Sequence, residues 1–129
     1  MKQYQQLLYT SILGITAGFL GGLLGISGTI IMIPLLTFFN IFLDYQTVIG
    51  TILFSFEPIG SIFALFQYAK NKKIDYLLGI NITFWYIFGS YIGAKNNKNF
   101  NEKSLKNITA TILLILSIYM FYNAYKIKS

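Results

Sequence analysis

The chain has 129 residues, 55% of them hydrophobic and only 11% charged. Soluble domains carry about 25% charged residues, so this composition belongs to the membrane class and excludes an ordinary soluble enzyme or binding domain. The net charge of +6 comes from lysines against four acids; they sit in short runs between apolar blocks, which suits anchoring to lipid headgroups and not a nucleic-acid-binding face.

Four apolar blocks follow one another. The first runs from Leu7 to Leu43 and is closed by Asp44. Its middle, Ile15 to Pro34, is uncharged and rich in glycine. A straight helix over the whole block would be roughly 54 Å long, whereas a bilayer core is about 30 Å thick. The block therefore has to break, and Gly25 to Thr29 is the expected place, with Pro34 in the early turns of a new helix. Two alternatives stay open: one kinked span, or two short helices folded into a hairpin, with the hairpin giving about five helical segments in the chain. Gly14, Gly18 and Gly22 recur every four residues, a spacing that lets helix backbones approach closely.

The second block runs from Thr47 to Ala69, the third from Ile74 to Ala94 and the fourth from Ser104 to Tyr125. Each has about the length that one spanning helix needs. Continuous apolar character argues for helices and against alternating barrel strands. Asp44 and Asp75 read as solvated caps, and Gly89 and Gly93 as a close-packing face of the third block. The expectation is one all-α integral membrane domain over residues 1–129, multi-pass, in the cell membrane. The lysines divide according to how block one behaves. A single crossing puts Lys2, Lys70, Lys72, Lys73, Lys126 and Lys128 on one side, against Lys95, Lys98, Lys103 and Lys106. A hairpin moves Lys2 across and gives five against five, the balance of a protein that inserts both ways up.

The chemistry points to binding and not to catalysis. The chain has no Cys and no His, so disulfides, thiolate metal sites and imidazole chemistry are excluded, and no metal or cofactor is expected. Breaking a helix at Gly25 to Gly28 frees backbone N–H groups at the start of the next half, a partial positive charge with unpaired donors. Such a terminus binds small oxyanions, and Ser27 and Thr29 would add hydroxyls. Gly50 and Thr51 open the second block with another small, hydroxyl-bearing segment, and Ser55 follows one turn later. Glu57, before Pro58, lies deep in the second block. A carboxylate there costs several kcal/mol unless paired or protonated, which makes Glu57 the candidate proton carrier.

These residues resemble a known family. Gly18-x-x-Gly21-x-x-x-Gly25-Ile26-Ser27-Gly28 followed by Pro34 is similar to the glycine signature that opens each repeat of the sulfite exporter TauE/SafE family. Val48-Ile49-Gly50-Thr51 resembles its Gly-Thr-Ser element, and Lys73-Ile74-Asp75 its short turn before the third block. Pro58, Ser61 and Tyr68, then Gly89-x-x-x-Gly93-Ala94, fall in matching order. The chain departs from the pattern where the usual run of three glycines is Ser27-Gly28-Thr29 and where the Ser after Gly-Thr is Ile52. Family members usually carry two such repeats, and this chain has one. The resemblance implies one repeat of an inverted-repeat transporter fold. It further implies transport of a small sulfur-containing anion (sulfite, sulfonate or thiosulfate) by a homodimer of half-transporters, with an antiparallel pair as one arrangement. The alternative is a non-transporting membrane subunit that pairs with a larger partner or a second half.

Overall fold

The computed structural model describes residues 1–127, so Lys128 lies outside the described residues. Within them the chain forms six helices: α1 (Gln3–Leu24), α2 (Gly28–Phe38), α3 (Tyr45–Phe56), α4 (Ile62–Lys70), α5 (Tyr76–Asn97) and α6 (Glu102–Lys126). Three of them, α1, α5 and α6, are long and apolar enough to cross a bilayer.

Block one breaks where its length requires. Gly25 adopts φ +70°, a left-handed conformation that costs an L side chain about 1–2 kcal/mol, and its amide closes α1 on the Gly21 carbonyl at 2.8 Å. Ser27 then caps α2 by accepting a hydrogen bond from the Thr29 amide at 3.4 Å. The chain folds back along α1. The Gln6 side chain donates to the Ile41 carbonyl at 2.7 Å, and the Tyr9 and Phe39 rings meet at 5.5 Å. Block one is thus a hairpin. Pro34 lies in the second turn of α2, among the early turns as expected.

Block two is not one span. Pro58 disfavours helical geometry at the residue before it, and Glu57 sits at φ −130°, ψ 42°, ending α3. The chain turns through residues 58–61 and returns as α4. Lys73 reaches Asp44 at 3.1 Å, so the end of this second hairpin is back beside its beginning. Asp44 caps α3 through the Thr47 amide at 3.0 Å and hydroxyl at 2.9 Å. Asp75 likewise caps α5 through the Leu78 amide at 3.0 Å.

The second hairpin raises the expected five segments to six and changes the reading of the lysines. Lys2, Lys70, Lys72, Lys73 and Lys126 gather at one end of the molecule, with Asn123 and Ile127 of the α6 terminus lining the same hollow as Asp44. Lys95, Lys98, Lys103 and Lys106 lie around the α5–α6 connection at the other. The distribution is therefore the one expected for a single crossing of block one, although block one is a hairpin. Among the described residues five lysines lie at the first end and four at the second.

The centre of the fold is the pairing of α1 with α5. The Asn81 amide group donates to the Leu7 carbonyl at 3.0 Å, and that of Asn97 to the Leu23 carbonyl at 2.6 Å. Both pairs are 74 residues apart in sequence, so the two helices run parallel and in register. Glycines set their separation. A Cβ on Gly18 or Gly22 would strike the α5 backbone at Tyr86 or Ser90, and one on Gly89 or Gly93 would strike the α1 backbone at Ile15 or Phe19. The hydrophobic core lies between this pair and α2–α3, around Leu13, Ala17, Ile31, Met32, Ile52 and Ile82. Neither α4 nor α6 contributes a buried residue. The last helix lies along α2, with the Phe38 and Tyr119 rings 5.4 Å apart.

Candidate functional site

The two breaks meet against the middle of α5. Tyr86 has ten residues of α5 before it and eleven after it within the helix Tyr76–Asn97. Its ring packs edge-on against Phe56, the last residue of α3, at a centroid distance of 4.6 Å. The same ring leaves no room for a Cβ on Gly28, the first residue of α2, where the ring carbon would lie at 2.6 Å. The Tyr86 hydroxyl lies beside Gly21 and the Gly28 backbone. One aromatic residue at mid-span thus holds the start of α2 against the end of α3.

Glu57 ties these pieces together. One carboxylate oxygen accepts from the Thr29 hydroxyl at 3.1 Å and the other from the Ser61 hydroxyl at 3.4 Å. Thr29 is in the first turn of α2, and Ser61 is the residue before α4. Both helices begin here, so two helix N-termini, each carrying a partial positive charge, lie at one carboxylate. Glu57 is solvent-exposed in the single chain, together with Pro58, Ile59 and Gly60. It is a group at a break, and not a side chain in the middle of a continuous helix.

Of the expected binding residues, Ser27, Gly28 and Thr29 are brought to Glu57 through the start of α2, with Gly25 at the turn just before it. Gly50, Thr51 and Ser55 are elsewhere, in the contact of α3 with α4 and α5. A Cβ at Gly50 would run into the Lys73 carbonyl. The Thr51 hydroxyl accepts from the Asp75 amide at 2.9 Å, and Ser55 donates to the Gly79 carbonyl at 2.9 Å. Both are buried, with their hydroxyls engaged in holding α3 to α5. Ser61 and Tyr86 join the site without having been singled out for it. Ser61 had a signal, four residues after Glu57 and past a proline. Tyr86 had none, since mid-span aromatics fill most membrane cores.

A family model described as sulfite exporter TauE/SafE matches residues 4–128. The chain belongs to the TauE/SafE family. It is 31% identical over 121 residues to the probable membrane transporter protein YunE of Bacillus subtilis (strain 168), covering 88% of this chain and 43% of the relative. It is 34% identical over 114 residues to the probable membrane transporter protein MJ0441 of Methanocaldococcus jannaschii, covering 84% of this chain and 42% of the relative. The chain thus spans less than half the length of these curated relatives. No solved structure gives a significant match. Membership and the apolar helices together make this TauE/SafE chain an all-α, multi-pass membrane protein.

Proposed function

We propose that this chain is half of a membrane transporter for small oxyanions of the sulfur-containing class, working as a homodimer and coupled to protons through Glu57. The observation that carries the reading is the position of the Glu57 carboxylate between the first turn of α2 and the start of α4, bonded to Thr29 and Ser61. That is the location a small anion would take at paired half-helix N-termini near the bilayer midplane. An ionised Glu57 fills it from within the protein. A protonated Glu57 no longer competes for the donors, and an incoming anion takes its place beside Ser27, Gly28 and Thr29. Anion and proton then bind together, and moving the loaded site across the membrane carries both in the same direction. The sulfur-containing class is the family's contribution, and the residues supply only the preference for a small oxyanion.

Gly25, Ser27, Gly28 and Thr29 form the binding segment in this reading, and Glu57 the coupling group. Gly50, Thr51 and Ser55 support it indirectly, by fixing the α3 end of the break. The test is uptake of labelled sulfite into proteoliposomes with and without a pH gradient. Glu57→Gln should keep downhill exchange and lose the response to the gradient. Gly28→Leu should stop flux, because the added side chain runs into the Tyr86 and Phe56 rings. Wild-type flux in both variants would remove this site from the mechanism.

A further inference from the structure

We infer that the tip of the α3–α4 hairpin, residues 57–60, is where a second copy of this chain docks, each copy seating Ile59 in the groove between α3 and α5 of the other. The inference deepens the half-transporter reading by naming the face on which the two halves meet.

It starts from what lipid can and cannot cover. The tip follows Phe56, whose ring sits against Tyr86 at the middle of the α5 span. Residues 57–60 are non-helical and exposed there, and Ile59 is 89% exposed. Among the described residues, the amides of Ile59 and Gly60 make no backbone hydrogen bond. Non-helical backbone at membrane depth is stable only when buried in protein or lining a water-filled cavity. The exposed residues of α6 pose no such demand. Leu114, Ile115 and Ile118 are apolar residues on a regular helix, which hydrocarbon solvates well. Cover is therefore needed at the tip and not along α6.

The face beside the tip has the shape to supply that cover. A groove of about 390 Å³ runs between α3 and α5, lined by Phe54, Pro58, Ile80, Thr83, Phe84 and Ile87. It is overwhelmingly apolar, open, and roomy enough for an isoleucine side chain. Protruding Ile59 and the receiving groove adjoin one another at Pro58. A twofold axis through that point places each tip on the other copy's groove, a self-complementary contact of the kind symmetric dimers use. The curated relatives, matched over only 42–43% of their length, leave room for a second unit of this size. Docking seats the Ile59 side chain out of lipid and encloses Glu57 between two chains, turning an open half-site into a water-filled cavity that the Ile59 and Gly60 amides line.

The absence of cysteine in the chain makes the test direct. Two copies with different tags, one Ile59→Cys and the other Ile87→Cys, are co-expressed and oxidised in native membranes. A disulfide needs Cα atoms within about 7 Å, so the expected result is a linked species carrying both tags, lost when Ile87→Cys is replaced by Ile118→Cys on α6. Equal linkage at Ile118, no linked species at all, or linkage of Ile59→Cys only to a chain of another mass overturns the second-copy contact. The readout uses no transport, so absent flux with intact linkage rejects the transporter reading alone, and normal flux without linkage rejects the docking alone.

Discussion

Replacing Gly93 by alanine tests whether α1 and α5 really touch backbone to backbone. A Cβ at that position would lie 2.8 Å from both the Leu23 amide nitrogen and the Phe19 carbonyl carbon, with the Phe19 oxygen closer still. Carbon atoms settle at about 3.5–4.0 Å, so the helices have to part by about 1 Å at this level. The obstructing atoms are backbone, and no rotamer change relieves them. Parting the helices also lengthens the neighbouring hydrogen bond from Asn97 to the Leu23 carbonyl, now 2.6 Å. Overpacking of this kind costs about 1–3 kcal/mol. The measurement is equilibrium unfolding in mixed micelles, followed by the fluorescence of Trp85, the single tryptophan, whose Cβ faces Gly14 of α1. Gly60→Ala is the control, because a Cβ there meets nothing within 4 Å, and it should stay within about 0.5 kcal/mol of the parent. The double variant Gly89→Ala/Gly93→Ala should cost less than its two parts together, since the first separation makes room for the second Cβ. A Gly93→Ala protein as stable as Gly60→Ala would refute the tight parallel pairing.

Other expectations follow from the same contacts. Asn81→Ala removes the amide that donates to the Leu7 carbonyl, Thr10 and Ser11; it should destabilise by about 1 kcal/mol in the same unfolding assay, in line with hydrogen bonds between membrane helices. Thr29→Val deletes the hydroxyl bonded to Glu57 while keeping the side chain's shape; flux should fall about tenfold with unchanged unfolding, the effect of losing one hydrogen bond to a charged group. The Thr47 amide, then the Thr47 hydroxyl, with help from Lys73, hold the Asp44 carboxyl below its ordinary value of 3.8. A folded value lowered in this way stabilises above the unfolded value, and the benefit disappears as pH falls through the folded one. Wild-type unfolding should therefore weaken with acid below about pH 4, and Asp44→Asn should flatten that slope; an identical slope in the variant assigns the acid sensitivity elsewhere.

Where block length and bilayer thickness disagree, the sequence reveals the break. Leu7 to Leu43 is too long for one span, and the chain breaks at Gly25 to Ser27 as length and glycine content require. The glycine ladder is legible as close packing, but not its partner. Nothing in the spacing of Gly14, Gly18 and Gly22 points to α5, where they meet Ile82, Tyr86 and Ser90. Polar residues are legible by type and not by engagement. Thr51 and Ser55 have the chemistry of anion ligands, yet tertiary structure has already taken their hydroxyls for the α3–α5 contact. Ser61 and Tyr86 enter the site only because the chain folds back twice, which no local pattern specifies.

The break in block two was hidden because its length fits one span. Proline is tolerated inside membrane helices, so Pro58 alone does not distinguish a kink from a reversal. The reversal has two consequences that share one origin. It returns the chain to the end where the first hairpin left it, which is why Lys70, Lys72 and Lys73 lie at the end that holds Lys2. It also moves Glu57 from the interior of a helix to the junction of three helix ends, where hydroxyls on two of them reach it. A carboxylate in an unbroken apolar helix would be a cost to be neutralised. At this junction it lies where two helix dipoles favour negative charge, and the same geometry that accommodates Glu57 suits a small anion in its place.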